Sequence, residues 1–409
     1  MYIKLIANMQ AFYILLYMLL SAVLFVCIDS FSNNNLPTNQ QHLIANYNNQ
    51  HITRQSSFKH FASTEDAIDS GNTQNRLLVF GLGNVGSLVA ERGASFQVDD
   101  VPFFQKVYGT TRTTKDIDGV QSIGFDDYQE LEKILPSCTH VLVTIPPLNP
   151  SIDIDINNSN QHFCDPVLNN SNYSVKDILP ANTWVGFISS TAVYGNHDGE
   201  WVTEDSETKC EAGTRAEIYL KAENEWRTAA KECDWKLHIF RCAGLYSNNR
   251  SALHTIRKNG LAVETSTATT KIESPTSRIH EEDVSRAVLS AMNYNESTSG
   301  DTSLWNLADD EPEVRSKVMA YGAQLLEEAN LLPKNKEAES SSAQTVTTKT
   351  STKPKQSERA SRRSIDRKRV DAQRMKDILL PDGKLLYPTY REGLKSILEL
   401  NRMKWSSDA

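Results

Sequence analysis

Cysteine is scarce in this chain: 409 residues include six, and no two of them form a C-x-x-C pair. Zinc clusters need closely spaced ligands and disulfide frameworks need paired cysteines, so neither is predicted and we expect no metal site. Beyond residue 28 the sequence also lacks an apolar run long enough to cross a bilayer. This absence excludes a protein with several membrane spans.

A large excess of positive charge is missing as well. The net charge is -8, and residues 1–64 carry +2 while 334–374 carry +7, which leaves -17 on the remainder. Nucleic-acid-binding domains are usually basic, so nucleic acid is disfavoured as a partner and a small-molecule substrate is expected. A hydrophobic fraction of 39% is typical of a folded globular protein.

The first 64 residues resemble a targeting sequence. Residues 11–28 are apolar and follow Lys4, and acidic residues are then absent from 30–64, a polar segment that cannot form a core. A hydrophobic signal followed by an acid-free segment resembles the bipartite presequence of algae with complex plastids. This predicts a plastid protein that is not membrane-bound after cleavage. The alternative is a secretory-pathway protein with a signal peptide or signal anchor.

Apolar runs alternate with segments of helical period across residues 76–333. The runs predicted to be strands are 77–80, 141–145, 184–188 and 237–240. Such alternation is typical of βαβ units around a parallel sheet. Apolar spacing after Glu282 predicts a helix capped by Asp283. Residues 334–365, rich in Ser, Thr and basic side chains, are predicted to be a disordered insertion, after which 366–409 returns to the domain.

The first predicted strand leads directly into Gly81, Gly83 and Gly86, spaced as G-x-G-x-x-G and followed by a helical stripe. Glycines at this spacing allow a tight turn, approach of backbone N–H groups to a pyrophosphate, and close packing of helix on strand. The helix N-terminus adds the positive end of a dipole. We therefore predict a dinucleotide site at this turn, which includes Asn84 and Val85.

Seven strings occur in order: GLGNVG from residue 81, THVLVTIPP from 139, DPVL from 165, FISSTAVYGNHDGEWVTE from 187, RCAGLY from 241, SRIHEEDV from 277 and YPTYREGL from 387. Together they resemble the extended short-chain dehydrogenase/reductase superfamily, in its atypical NAD-dependent epimerase/dehydratase-like and nucleoside-diphosphate-sugar-epimerase-like branch. The resemblance implies a doubly wound Rossmann parallel sheet with a small discontinuous substrate lobe, mainly after residue 244. It also implies an NAD(P)-dependent oxidoreductase or epimerase-like enzyme on a small polar or nucleotide-linked substrate, with Thr144 and Pro146 beside the cofactor.

The end of the second strand distinguishes NADP from NAD. If that strand is 106–108, it leads to Thr111 and Arg112, which suit the 2′-phosphate of NADP. If it is 95–98, Asp99 occupies the ribose position and NAD is favoured. The match of VYGTTR to the superfamily favours the first register and therefore NADP.

The catalytic pattern of the superfamily is only partly present. A Ser or Thr four residues before the tyrosine of SSTAVYG hydrogen-bonds the reacting group there, and Ser190 matches this position. The next helix should read Tyr-x-x-x-Lys-x-x-x-Glu, but alignment on Glu223 puts Arg215 in the tyrosine position and Tyr219 in the lysine position. Tyr219 and Lys221 are two residues apart and point about 200° apart on a helix. We predict that Ser190 orients substrate, Arg215 acts as an electrostatic clamp and Tyr219 is a weaker acid/base.

Three further residues are predicted to bind substrate, namely Tyr194, Arg241 and His280. For Arg241 the alternative is a role in closing the sheet edge, and for His280 a capping role. The missing Tyr-Lys pair also supports a second hypothesis, a cofactor-binding protein without turnover. Such a protein could be a redox-responsive regulator or, through residues 359–374, an RNA-associated organellar factor. The sequence makes no prediction of oligomeric state.

Overall fold

The computed structural model describes residues 75–113, 115–148, 164–260, 274–294, 300, 302–332 and 367–407. The predicted presequence and the predicted insertion lie outside the described residues. Within the described part of the chain, no helix combines the length and the apolar character that a membrane span requires.

The strands, in chain order, are β1 (Arg76–Phe80), β2 (Gln97–Val98), β3 (Val101–Pro102), β4 (Lys106–Thr111), β5 (Val120–Gly124), β6 (His140–Val143), β7 (Trp184–Ser190), β8 (Trp201–Val202), β9 (Lys236–Cys242), β10 (Gly244–Tyr246), β11 (Arg278–His280), β12 (Thr302–Leu307) and β13 (Arg369–Val370). The α-helices are α1 (Asn84–Ala94), α2 (Tyr128–Ile134), α3 (Val175–Ile178), α4 (Arg215–Cys233), α5 (Ala252–Asn259), α6 (Glu281–Met292), α7 (Arg315–Glu328), α8 (Gln373–Leu379) and α9 (Tyr390–Ser407).

Seven parallel strands form the central sheet in the order β12-β9-β7-β6-β1-β4-β5. Chain order reverses between β1 and β6, and ligands bind at such a switch point, beyond the carboxyl ends of the strands. The predicted doubly wound Rossmann sheet is confirmed.

Helices cover both faces of this sheet, which explains why its central strands are continuous apolar runs. Leu78 faces one side and belongs to the same core cluster as Trp226 of α4. Leu77 faces the other side, where α1 and α6 pack together. The four strands predicted from apolar runs are confirmed as β1, β6, β7 and β9. The strands β5 and β12 lie at the sheet edges and have less continuous apolar patterns.

Helix α6 begins differently from the prediction. Its apolar face is buried as expected, but its cap is His280, whose Nδ1 accepts a hydrogen bond from the Glu282 N–H at 3.2 Å. Asp283 lies inside the helix, fully buried, and its carboxylate accepts hydrogen bonds from the backbone N–H groups of Leu386 at 2.6 Å and Tyr387 at 3.0 Å. The predicted capping role of Asp283 is therefore wrong, because this carboxylate binds the returning carboxyl-terminal segment.

A second, smaller hydrophobic core is built from segments that are far apart in the sequence. It contains Leu253 and Ile256 of α5, Leu326 of α7, and Leu394 and Ile397 of α9. Because α9 follows the long segment 333–366 outside the described residues, this lobe is discontinuous. The small discontinuous lobe is thus confirmed.

Candidate functional site

The glycine turn between β1 and α1 has the geometry that its sequence predicts. Gly81 has φ +97°, a conformation that favours glycine. A Cβ on Gly86 would lie 2.0 Å from the Gly81 carbonyl oxygen, so this glycine permits the helix to pack on the strand. At Gly83 an added Cβ would meet nothing within 4 Å. The turn is therefore tight on its protein side and open at Gly83.

Helix α1 presents its N-terminus at this opening. Gly83 is the N-cap, and no acidic residue occupies the first turn of the helix. The first N–H groups of a helix, here those of Asn84, Val85 and Gly86, have no partner within the helix and can bind an anion. This end of α1 can hold a pyrophosphate.

The second strand of the Rossmann unit is β4, which pairs directly with β1. The Leu82 N–H donates to the Thr110 carbonyl at 2.8 Å, so the end of β4 lies against the glycine turn. Arg112 follows on the exposed loop, with its guanidinium 5.9 Å from the centre of the Phe125 ring. The register that begins at Lys106 is confirmed.

The alternative register, with Asp99 at the ribose position, is wrong. Residues 97–98 form β2, which pairs with β3 in a small antiparallel hairpin outside the central sheet. Asp99 and Asp100 have φ of 52° and 63° and make the turn of that hairpin. Short polar side chains tolerate this conformation better than most residues, which accounts for the Asp-Asp pair.

Thr144 and Thr111, both predicted to contact the cofactor, fix the backbone at the glycine turn and in the loop after β4. The Thr144 hydroxyl, just beyond β6, donates to the Gly81 carbonyl at 2.6 Å and ties the two strands together at the switch point. The Thr111 hydroxyl donates to the Thr113 carbonyl at 2.6 Å and bends the loop after β4. Pro146 is exposed two residues after Thr144, at the carboxyl edge of the sheet.

Lys115 is a further residue at this turn that sequence reasoning missed. Its ammonium donates to the Leu82 carbonyl and, at 3.1 Å, to the Ser87 hydroxyl. The signal available in the sequence was a second cation three residues after Arg112, but only the fold shows that it reaches the glycine turn.

Ser190 ends β7 at the same carboxyl edge and is half-buried. Its hydroxyl accepts a hydrogen bond from the Ala192 N–H at 3.2 Å and caps a single 3-10 turn, Thr191–Tyr194. Helix α4 packs against both β7 and this turn. The serine is thus fixed at a strand end beside the helix that carries the altered pattern.

Arg215 and Tyr219 lie side by side at the start of α4. The Thr214 hydroxyl caps the helix by accepting from the Glu217 N–H at 3.4 Å. The exposed Arg215 guanidinium lies 5.7 Å from the centre of the half-buried Tyr219 ring. Lys221 instead pairs with Glu217 at 3.0 Å. Lys221 is therefore held by a carboxylate rather than by Tyr219, as the helical spacing predicts.

Comparisons with known proteins identify the fold of this chain. No protein-family model and no curated protein sequence matches the chain. A solved structure of a functionally unknown conserved protein from Silicibacter pomeroyi is 26% identical, with a TM-score of 0.57 over 79% of this chain and 98% of that one.

Two solved structures with bound NAD are more distant in sequence. The dTDP-glucose 4,6-dehydratase from Bacillus anthracis is 14% identical, with a TM-score of 0.55 over 81% of this chain and 99% of that one. MoeE5, in complex with UDP-glucuronic acid and NAD, is 17% identical, with a TM-score of 0.55 over 80% and 100%. The chain has the epimerase/dehydratase fold. The predicted resemblance is confirmed at this level.

Within the epimerase/dehydratase fold, Arg241, which the sequence predicted to bind substrate or to close the sheet edge, lies in the interior. Its guanidinium is buried and donates to both carboxylate oxygens of Glu223, at 3.0 and 2.8 Å. Glu223 is itself fully buried and also accepts from the Ser189 hydroxyl at 2.6 Å. The Arg241–Glu223 pair joins α4 to β9, and the bond from Ser189 joins α4 to β7, which favours the structural alternative for Arg241 over binding of an anionic substrate.

Tyr194, also predicted to bind substrate, is enclosed beside Arg241. The side chain is fully buried, its hydroxyl donates to the Asn306 Oδ1 at 2.8 Å, and the Arg241 guanidinium lies 4.7 Å from its ring centre. Asn306 also donates to the Asp371 carbonyl at 3.0 Å. Tyr194 therefore links the turn after Ser190 to the carboxyl-terminal segment, which favours a structural role over the predicted contact with substrate.

His280 is likewise a structural residue. It is 1% exposed, caps α6, and its ring lies between those of Tyr246 and Tyr387, with centre-to-centre distances of 5.0 and 4.3 Å. The structure shows the capping alternative, and the enclosed imidazole favours this role over substrate binding.

An unpredicted acidic group lies two residues beyond β12. Asp309 is 3% exposed, and burial raises the pKa of its carboxyl to about 8, although the Arg278 guanidinium nearby lowers it. The sequence shows the acidic pair Asp309-Asp310 after a strand, but only the fold shows that Asp309 is buried and Asp310 is exposed.

Among the described residues, no group of three or more His, Cys, Asp or Glu could hold a metal ion.

Proposed function

We propose that this chain is an NAD(P)-dependent oxidoreductase or epimerase-like enzyme that acts on a small polar, nucleotide-linked substrate. The observation that carries the proposal is the glycine turn at the switch point. It combines an open space at Gly83 with an acid-free helix N-terminus, which together form an anion cradle. Structures of the same fold contain NAD, and that of MoeE5 is in complex with both UDP-glucuronic acid and NAD.

For the cofactor, we propose NADP. The end of β4 offers Thr111, the loop after it offers Arg112, and no carboxylate lies at the position that selects a ribose 2′-hydroxyl. A guanidinium suits the planar, bidentate recognition of a phosphate. Thr111 and Arg112 would contact the adenosine half of the cofactor, so the choice of NADP does not depend on the substrate.

The residues around Ser190 support a modified chemistry. The bound nicotinamide would give or take a hydride, and the Ser190 hydroxyl would orient the reacting hydroxyl or carbonyl. Arg215 would hold a carboxylate, a phosphate or a developing oxyanion, because a guanidinium stays charged at physiological pH and cannot abstract a proton. Tyr219 would be the available acid/base, acting without a lysine partner.

One observation keeps a second function under test, namely a cofactor-binding protein without turnover. The Tyr-x-x-x-Lys pair is absent, and Lys221 pairs with Glu217 at 3.0 Å. The RNA-associated form of this hypothesis is less well supported. Of the basic residues at the end of the proposed RNA segment, Arg367 pairs with Asp198 at 3.4 Å, and Lys368 donates to the Gly195 carbonyl at 3.0 Å.

The deciding experiment starts with the ligands that copurify with the protein. Mass spectrometry of the purified chain should identify a nicotinamide dinucleotide. Turnover is then assayed with NADP and with NAD against a panel of sugar nucleotides. Cofactor-dependent conversion of one substrate supports the enzyme. Dinucleotide binding without any conversion supports the regulator, and RNA binding with a steep salt dependence supports the organellar factor.

A further inference from the structure

The ammonium of Lys115 is held next to the glycine turn by neutral partners. It donates to the Leu82 carbonyl and to the Ser87 hydroxyl at 3.1 Å, and that hydroxyl donates to the same carbonyl at 2.9 Å. The Lys115 carbonyl accepts from the Ser122 hydroxyl at 2.6 Å, which fixes the backbone. Lys115 is therefore positioned from both ends, and no partner at the turn neutralises its charge.

Neither cation of this loop has a carboxylate partner among the described residues. Lys115 and Arg112 are absent from the ion pairs of the structure, and the exposed acids Asp116 and Asp118 on the same loop pair with neither of them. Helix α1 adds the positive end of its dipole at the same place. The loop thus presents two positive charges beside a site that already favours an anion.

The position of these charges indicates which anion they suit. The N–H groups at the start of α1 serve the pyrophosphate, whereas the loop after the second strand faces the adenosine ribose. A phosphate monoester carries between one and two negative charges at neutral pH. A single cation does not neutralise that charge. Two cations on one short loop match that charge.

We propose that Lys115 and Arg112 together form a subsite for the 2′-phosphate of the adenosine ribose, and that Lys115 is a specificity-determining residue. The proposal rests on the dinucleotide site proposed above. It extends that proposal by naming a residue that contacts the glycine turn itself, so that the turn and the 2′-phosphate share one lysine.

The test uses the full chain and two fragments of the cofactor, 2′,5′-ADP and 5′-ADP, which differ only in the 2′-phosphate. Their dissociation constants are measured by calorimetry. Lys115→Gln keeps a hydrogen-bond donor for the Leu82 carbonyl but removes the charge. It should weaken 2′,5′-ADP by about 10-fold or more and 5′-ADP by less than about 2-fold.

Lys106→Gln is the matched control. Lys106 is an exposed lysine at the start of β4, the strand that precedes the loop of Lys115, and its ammonium lies 5.0 Å from the centre of the Tyr108 ring. It should leave both dissociation constants unchanged. Lys115→Arg, which keeps the charge, should preserve the preference for 2′,5′-ADP. Melting temperatures of the variants establish that each is folded at the temperature of the assay.

Equal weakening of both fragments by Lys115→Gln would overturn the proposal and make Lys115 a structural residue of the turn. Equal affinity of the unaltered chain for the two fragments would also overturn it, but would leave the dinucleotide site intact. Failure of the unaltered chain to bind either fragment would overturn the dinucleotide function together with the subsite.

Discussion

Arg241 and Arg215 show two uses of one side chain at the carboxyl edge of the sheet. Arg241 is buried and held by both oxygens of Glu223, whereas Arg215 is exposed and lies over the Tyr219 ring. A buried guanidinium must be paired to offset its desolvation, while an exposed one is stable without a carboxylate. Arg215 is thus the arginine of this region that can bind an anionic group.

Arg112→Ala should discriminate between the two nicotinamide cofactors. Loss of a charge-assisted hydrogen bond to the 2′-phosphate should weaken NADP by about 1.5–3 kcal/mol and leave NAD almost unchanged. Fluorescence titration of both cofactors measures this difference. Equal weakening of NADP and NAD would instead make Arg112 a structural residue, held against the Phe125 ring.

The catalytic roles can be separated once a substrate is known. Ser190→Ala should lower kcat/KM about 100-fold if the hydroxyl orients the reacting group. Arg215→Lys should lower it about 10-fold or more, because an ammonium cannot reproduce a bidentate clamp. Tyr219→Phe should have a smaller effect. Full activity of Arg215→Lys together with complete loss in Tyr219→Phe would show that Tyr219 is the base and that the clamp is wrong.

Asp309 gives a prediction for stability as a function of pH. Its pKa is about 8 in the folded protein and 3.8 in the reference state, so the folded state retains a proton that the unfolded state releases between these values. Because of this group, the free energy of unfolding should fall as the pH rises from about 4 to 8, by about 1.4 kcal/mol per pH unit at most. Asp309→Asn should remove that dependence.

Urea unfolding at pH 5 and pH 8 measures the effect, and the advantage of Asp309→Asn over the unaltered chain should grow with pH. Asp310→Asn is the control, since Asp310 is more exposed and pairs with Lys376 at 2.6 Å. A difference between Asp309→Asn and the unaltered chain that does not change with pH would show that the carboxyl of Asp309 has an ordinary pKa.

At the scale of elements, α4 is the helix on which the candidate site depends. Its N-terminal turn carries Arg215, and its buried face carries Glu223, which binds Arg241 of β9 and Ser189 of β7. The same helix therefore carries Arg215 and Tyr219 and is anchored to β9 and to β7, the strand that ends at Ser190.

Glu223→Gln should destabilise the protein strongly, because it leaves the buried Arg241 guanidinium without a counter-charge. Breaking a buried pair in this way costs about 3–5 kcal/mol, measured as the free energy of unfolding in urea. Glu217→Gln is a matched control on the same helix, since its pair with Lys221 is open to solvent, which screens the attraction, and its loss should lower the free energy of unfolding far less. Similar losses in the two variants would contradict the anchoring role of Glu223.

At the scale of the whole molecule, the proposed address is the plastid stroma, after removal of the acid-free amino-terminal segment. The folded part offers a chemical test, because Asn172 begins an N-x-S sequon and is exposed. The endogenous protein should carry no endoglycosidase-sensitive mass and should begin after the hydrophobic run. Glycosylation at this sequon, or an intact terminus containing Lys4, would contradict the plastid location and favour the secretory alternative.

The sequence by itself determined four of the seven strands of the central sheet and the glycine turn of this protein. The strands β1, β6, β7 and β9 are buried on both faces, so their apolar runs are unambiguous, and the G-x-G-x-x-G spacing specifies a turn through local backbone geometry. The departure from Tyr-x-x-x-Lys was equally visible, since helical spacing alone separates Tyr219 from Lys221.

Only the tertiary structure decided what depends on neighbours distant in the chain. The two registers of the second strand were both compatible with the sequence, and pairing of β4 with β1 excluded Asp99 from the ribose position. Burial of both side chains paired Arg241 with Glu223, and the fold of one loop brought Lys115 to the glycine turn. Local pattern fixes backbone conformation, but whether a charged side chain is paired, enclosed or open to a ligand depends on which distant segments pack around it.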